Sequence, residues 1–425
     1  MGVVWSLFNL EALVLYFLHQ IIDCSIVYII FIAINSIAIV FAAAKLNKVV
    51  FAPFCLGYGA RLVILFFDQY TLALSNMNGD IQAYFSAALE YYANPNVMGA
   101  GGGMYSKVLG FILRVIGPSH LMAAYTNVLL GMTTMYLLCK VLQLVKVSDK
   151  VQRIAVLWLA LFPYSIYSST VVYRETVIAA LFMASVYCAT RWFIQPGIKW
   201  ILCCLVSVGL AAMFHAGSVV LAIGYFLIFI FYVPGKKKFV IRRDSVAVFL
   251  VILAGIAAVV YNPSLFLGKF MSAMEDSSSI IQQFNRNTGG SAYLTWLRAS
   301  TLTDVILGSP LKAIYFAFSP IPMDWRGIVD AVTFAVDSLS YFYCIAYTIR
   351  HMKQSPYKSL IVALLCSVIA AIFVFGIGTW TAGTAIRHRN KIFAVILAMF
   401  ALSTISTSPQ KQLNSKQAKL FVKEA

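Results

Sequence analysis

The stretch "ALFPYSIYSSTVVYRETVIAALFMASVYCATRWF", residues 160–193, holds two apolar runs parted by one adjacent pair of charges, Arg174 and Glu175. The runs, near 152–172 and 176–194, each approach the roughly 20 residues that a hydrocarbon core of about 30 Å asks of a spanning helix. Outward from this pair, runs near 3–20, 22–44, 50–73, 120–142, 200–214, 217–233, 245–261, 330–349, 359–377 and 390–405 have the same character. The pattern predicts an all-α polytopic membrane protein with about twelve transmembrane helices. A β-barrel would need short segments of alternating polarity instead.

Composition agrees, since 61% of the 425 residues are hydrophobic and 11% charged, far outside the range of soluble domains. The net charge of +17 sits mostly in short loops between runs, so it reports topology rather than nucleic-acid binding. Lys45 and Lys48; Lys146, Lys150 and Arg153; Arg191 and Lys199; Lys236, Lys237, Lys238, Arg242 and Arg243; Arg350, Lys353 and Lys358; and the tail after Lys411 mark one side, the cytoplasmic one. Both termini are then cytoplasmic, and two long loops, roughly 75–119 and 262–322, face outward. The first run carries Glu11 and lacks a basic start and a small-residue cleavage site, so it is expected to stay as a span. No internal repeat of the kind that builds many transporters is visible.

This topology puts Arg387, His388, Arg389 and Lys391, in "GTWTAGTAIRHRNK" at 378–391, on the outer side, against the positive-inside rule. Each would cost about 2.5 to 3.5 kcal/mol at mid-membrane, so the cluster needs a reason. It reads either as a solvated turn snorkelling to headgroups or as a site for phosphate or pyrophosphate, which arginine forks suit.

In the first outer loop, "SNMNGDIQAYFSAALEYY" at 75–92 places Ile81, Tyr84, Phe85, Ala88, Leu89 and Tyr92 on one helical face. Tyr105, Val108, Leu109, Ile112, Leu113 and Ile116 repeat the pattern with Lys107 and Arg114 off the stripe, predicting a second surface-lying helix. Asp80, at the start of the first, suits either a helix cap or a general base. Glu90 is a reserve on the polar face, where a plain solvated charge is the simpler reading. Arg174 and Glu175 serve a helix start and headgroups, or else face the same outer cavity, with Glu175 as base or acceptor ligand and Arg174 on a phosphate. His215, in the turn "MFHAGS", is a structural residue or a proton shuttle. Arg61 lies mid-span and should face the interior, with Glu11 or Asp68 as partner. In the second outer loop Glu275, Asp276, Arg286, Arg298, Asp324, Trp325 and Arg326 are available without a spacing that singles out a site. Tyr84, Glu90, His215 and Arg326 stand as candidate substrate-binding residues.

The eight cysteines form no CxxC, the five histidines are scattered, and HExxH, DxD and GxSxG are missing. A single divalent cation, magnesium or manganese, on Asp80 is the one metal arrangement left open.

Several of these segments, in order, resemble the GT-C class of polyprenyl-phosphate-sugar-dependent membrane glycosyltransferases, the class of the protein mannosyltransferases and aminoarabinose transferases. "NGDIQAY", with Asp80 and Tyr84, looks like the acidic motif of that class's first outer loop, and the two amphipathic helices look like its juxtamembrane pair. "GPSHLMAAYTNVLLGMTTMYLLCKVL" at 117–142 and the stretch at 160–193, with its Phe-Pro step and Glu175, are similar to its second to fourth spans. The resemblance covers roughly 50–330 and implies one transmembrane domain over 1–425: two extra spans in 1–49, a seven-span module in 50–261, an outer loop in 262–329, and further spans with a cytoplasmic tail in 330–425. The extra spans, and the lack of a large outer domain after the last one, depart from the class.

The resemblance implies a lipid-linked donor that enters sideways from the membrane, a carboxylate near the acceptor and cations on the phosphate. By position Asp80 would be the base or the acceptor-orienting carboxylate, with Glu175 as the second catalytic candidate. Arg387, Arg389, His388, Lys391 and Arg174 are assigned to the donor phosphate on charge alone. The implied activity is transfer of a sugar to a glycan or lipid of the cell envelope, at the outer face of a bacterial cytoplasmic membrane. Two other readings compete: a Wzy-type O-antigen or capsule polymerase relying on Arg174, Arg387 and Arg389, and a lipid-linked oligosaccharide flippase needing a polar path through Glu11, Arg61 and Asp68.

Overall fold

Proline and charge decide where the helices of this chain stop. The computed structural model describes residues 26–76, 79–97, 101–233, 238–239, 247, 250, 254 and 277–406. The run near 3–20 and, apart from 247, 250 and 254, the run 245–261, with Glu11, Lys236, Lys237, Arg242, Arg243, Glu275, Asp276 and the tail after Lys411, lie outside the described residues. The strands among the described residues are one antiparallel pair, Tyr232–Val233 with Lys238–Phe239.

The helices used below are α1 (Ile26–Ala44), α2 (Lys48–Thr71), α3 (Gly79–Ala93), α4 (Gly103–Ile116), α5 (His120–Leu144), α6 (Asp149–Leu161) and α7 (Pro163–Thr170). They continue with α8 (Glu175–Ile194), α9 (Ile198–Phe214), α10 (Ala222–Phe231), α11 (Ser277–Asn285), α12 (Leu302–Phe318), α13 (Ile328–Gln354), α14 (Lys358–Ile377) and α15 (Ala382–Ser403). Among the described residues, α2, α5, α8, α13 and α14 are long and apolar enough to cross a membrane, five helices where about twelve spans were expected over the whole chain.

Three of the differences have local causes. The run 152–172 is two helices, because Pro163 has no N–H to continue α6 and holds Phe162 in extended backbone. The second outer loop is not open chain throughout, for α12 lies within it and packs on α14 and α15. The run 390–405 is only the latter part of α15, which starts at Ala382 behind an N-cap where the Thr381 side chain accepts from the Thr384 N–H. The basic cluster is therefore helical rather than a turn. From Asn390 to Ser403 every residue of α15 is buried, as expected of a helix apolar on all sides, and it packs against α5, α6, α8, α13 and α14.

The break between α6 and α7 exposes the Ala160 carbonyl, which Arg61 covers. Its guanidinium donates to the carbonyls of Gly57 at 2.9 Å and Ala160 at 3.2 Å and to the Ser165 hydroxyl at 2.9 Å. Arg61 is thus not paired with Asp68 as expected. Asp68 instead accepts from the Leu74 and Ser75 N–H groups at 3.0 Å and from the Ser75 hydroxyl at 2.6 Å.

The loop helices α3 and α4 run side by side in one direction. Ser106 donates to the Tyr84 carbonyl at 2.9 Å, and Arg114 donates to the Tyr92 carbonyl at 2.8 Å. Between them Gly110 faces Ala88, where a Cβ would lie 2.6 Å from the Ala88 carbonyl oxygen. The outer side of α4 shows Val108, Phe111 and Val115 to the surroundings, an apolar stripe suited to the membrane interface.

Because Arg61 is wholly buried, Arg61→Leu would leave the Ala160 carbonyl and the Ser165 hydroxyl without this donor. Thermal unfolding in detergent should show a loss of about 1 to 3 kcal/mol. An unchanged transition would mean that the helix break does not depend on this side chain.

Candidate functional site

The site forms where α3, the 171–174 turn, the turn after α9 and the first half of α15 meet. Asn127 of α5 shapes the 171–174 turn: its amide donates to the carbonyls of Val171 at 2.6 Å and Tyr173 at 2.8 Å. The Asn127 oxygen accepts from the Tyr105 hydroxyl of α4 at 3.2 Å, so one buried amide ties a loop helix to the turn. A second tie comes from Ser168, whose hydroxyl accepts from Asn390 at 2.8 Å and whose carbonyl accepts from Thr176 at 2.7 Å. These contacts hold Tyr173, Arg174 and Glu175 against α15. Sequence reasoning passed over Asn127, although an amide in the middle of a spanning run was the available signal.

Helical geometry then sorts the basic residues of α15. Arg387 and Lys391, four apart, share a face, with His388 beside them, whereas Arg389 turns to the opposite side. Arg387 is the hub. Its guanidinium pairs with Asp80 of α3 and approaches Glu175 at 2.9 Å, donates to the Tyr84 hydroxyl at 3.4 Å, and lies 4.5 Å from the centre of the Tyr173 ring. Glu175 is fully buried, and besides Arg387 it has Lys391 at 3.7 Å and Arg174 at 3.8 Å. Lys391 Nζ also shares a hydrogen bond with His388 Nδ1 at 2.6 Å, and the His388 ring lies 5.2 Å from that of His215.

Exposure grades across the site. The Glu175 and Lys391 side chains are wholly enclosed and Arg387 is 9% exposed, but Arg174 is 28% and Asp80 57% exposed. The exposed side therefore holds one carboxylate and one arginine over a buried layer of charge. Tyr84 lies under both arginines, since the Arg174 guanidinium sits 5.7 Å from the centre of its ring. Burial pushes the Tyr84 phenol up from its ordinary value, with Glu175 and Asp80 adding to this and the two arginines opposing, so it keeps its proton.

Asp80, Tyr84, Arg174, Glu175, His215, Arg387, His388 and Lys391 are thus brought together. Three candidates are not. Arg389 pairs with Asp337, which lies in the π-helical turn Phe334–Ser338 of α13, and donates to the Phe316 carbonyl at 2.9 Å. Arg326 makes a bidentate pair with Asp330 at 2.7 and 2.8 Å and lines a small cavity with Ser319 and Asp324. Glu90 is exposed on the outer side of α3. Among the described residues no three His, Cys, Asp or Glu side chains gather as metal ligands. A divalent cation on Asp80 would stand beside Arg387, so the residues present fit an anion better than a metal.

No family model and no curated protein matches the chain. Among solved structures it is similar to the crystal structure of ArnT from Cupriavidus metallidurans bound to undecaprenyl phosphate, at 14% identity and a TM-score of 0.46. The similarity covers 81% of this chain, which spans 59% of the length of that one.

The two arginine pairs should behave differently on mutation. Arg389→Met strands the buried Asp337 and should cost about 3 to 5 kcal/mol, while adding Asp337→Leu should restore most of it. Asp80→Ala, at an exposed carboxylate, should stay within about 1 kcal/mol. Thermal unfolding of the four proteins is the check, and equal losses for Arg389→Met and Asp80→Ala would contradict the burial that separates them.

Proposed function

We propose that this chain is a multi-pass membrane glycosyltransferase that takes a sugar from a polyprenyl-phosphate-linked donor. It passes the sugar to a glycan or lipid acceptor of the cell envelope at the outer face of the cytoplasmic membrane. The observation that carries the reading is the joining of Asp80 and Glu175 through Arg387, between segments 307 positions apart, beneath a partly exposed second arginine.

In this reading the donor's phosphodiester lies against Arg387 and Arg174, whose planar forks suit phosphate oxygens. Asp80 receives the proton of the acceptor hydroxyl. That oxygen forms its bond to the anomeric carbon as the bond from this carbon to the phosphate oxygen breaks, and both electrons leave with the polyprenyl phosphate. The leaving group gains one negative charge in the step, and cations fixed in a poorly solvated layer stabilise charge that develops there. Glu175 takes a part other than the second catalytic carboxylate: enclosed by three cations, it serves as the counter-ion that holds Arg387 and Lys391 in place. Tyr84 orients both arginines from below.

The site geometry favours this reading over its competitors. The polymerase reading counts on Arg389, which is occupied by Asp337. The flippase reading needs Arg61 and Asp68 along one path, but Arg61 serves the α6–α7 break and Asp68 holds the Leu74–Ser75 backbone.

Transfer of radiolabelled sugar from a panel of polyprenyl-phosphate hexoses and pentoses, by the protein reconstituted in lipid, tests the proposal. Asp80→Asn should lower the rate by about 10²- to 10⁴-fold, the usual worth of a general base, with thermal unfolding unchanged. Full activity of this variant would remove Asp80 as the base, and no transfer by the unaltered protein from any donor of the panel would overturn the proposal.

A further inference from the structure

The contact between Asp80 and Arg387 raises a question of its own, because the carboxylate needed as a base occupies the guanidinium needed for the phosphate. We infer that Asp80 holds the phosphate's place on Arg387 when no ligand is bound, and that arrival of the phosphate releases the carboxylate to act on the acceptor. The inference rests on the reading of the cluster as a phosphate site.

Three features of the site support it. First, the two carboxylates on Arg387 differ in what can replace them. Glu175 is fully enclosed and cannot leave without stranding buried cations, whereas the Asp80 side chain is 57% exposed and has water as an alternative partner. Second, the helix that carries Asp80 is anchored by other residues. Ile81, Tyr84, Ala87 and Ala88 anchor α3 by burial, and Ser106 and Arg114 hold its Tyr84 and Tyr92 carbonyls. The helix stays while Asp80, at its first turn, swings toward the exposed side.

Third, the charge left behind fits a phosphate. With Asp80 turned away, the Arg174 and Arg387 guanidiniums face Glu175 alone, which leaves net positive charge in the site. A phosphate monoester carries about −1.5 to −2 at neutral pH, while a diester carries one negative charge. Either form of the phosphate therefore meets net positive charge in the opened site, and the attraction grows as the leaving group gains negative charge. Exchange also orders events: the base becomes available only once a phosphate is seated.

Carboxylate footprinting tests this directly. The full-length protein in lipid nanodiscs is treated with a water-soluble carbodiimide and an amine, alone, with undecaprenyl phosphate, or with inorganic phosphate, while ligand retention is measured in parallel. Labelling of Asp80 should rise about threefold with bound undecaprenyl phosphate, as expected on loss of an ion pair, while labelling of Glu90 on the same helix stays constant. A rise with inorganic phosphate as well would show that the phosphate alone displaces Asp80, and a rise with the lipid only would assign the effect to the carrier. Asp80→Asn should bind undecaprenyl phosphate about fivefold more tightly, because no carboxylate competes for Arg387. Bound undecaprenyl phosphate with unchanged or reduced Asp80 labelling overturns the inference and leaves the proposed function standing. Retention of neither ligand overturns both.

Discussion

A carboxylate with no exposed surface, Glu175, sits at the first turn of a spanning helix, and the arrangement of the bundle around it follows from the need to neutralise it. An uncompensated charge in such a place costs several kcal/mol, and the bundle meets that cost with Arg387 and Lys391 from one face of α15 and Arg174 from the adjoining turn. This fixes the rotation of α15 about its axis. Once Arg387 and Lys391 face Glu175, Arg389 must face the other way, toward α12 and α13, and there Asp337 receives it. One helix thus carries cations on two sides, each side answered by a carboxylate from a different helix.

The two ion pairs of α15 illustrate why only one of them belongs to the candidate site. Arg389 and Asp337 are 1% and 7% exposed in their side chains, so the pair fills its pocket and offers a ligand no approach. Arg387 is nearly as buried, but its second carboxylate reaches the outside through Asp80. Burial sets the strength of a charge, because a low-dielectric surround screens it weakly, and access decides whether a ligand ever meets it. The site has both because it lies at the edge of the bundle, under a pair of loop helices rather than between spanning ones.

Much of this was legible in the sequence, and the rest was hidden for identifiable reasons. Apolar runs gave the spanning helices α2, α5, α8, α13 and α14, since length and hydropathy are the properties a bilayer selects. The amphipathic pattern after Asp80 falls on the helices α3 and α4, and eight of the eleven candidate residues lie together in space. The start of α15 was not legible, because a cluster of charge next to an apolar run looks like a loop until its partners are known. Read at the helical period, 387 and 391 separate from 389, but the partners Glu175 and Asp337 lie far away in sequence and leave no local trace. The same holds for Arg61: a lone mid-span arginine suggested a carboxylate, and what it found was backbone left bare by Pro163.

The loop helices explain how an exposed aspartate can be held in register with a buried arginine. A short helix at the edge of a bundle is free to slide and roll unless it is pinned, and α3 is pinned from two directions. From α4, Ser106 and Arg114 donate to its backbone carbonyls while Gly110 lets the two helices touch. From the bundle, Tyr84 reaches Arg387 through its hydroxyl, and the ring of Tyr105 meets the ring of Tyr84 edge-on at 5.4 Å. Tyr105 in turn donates to Asn127, the residue that shapes the turn bearing Arg174 and Glu175. The chain of contacts is therefore closed: the amide that places the buried carboxylate also places the helix that carries the exposed one. The stripe of Val108, Phe111 and Val115 on the far side of α4 gives this closed unit an apolar outer face suited to a membrane interface.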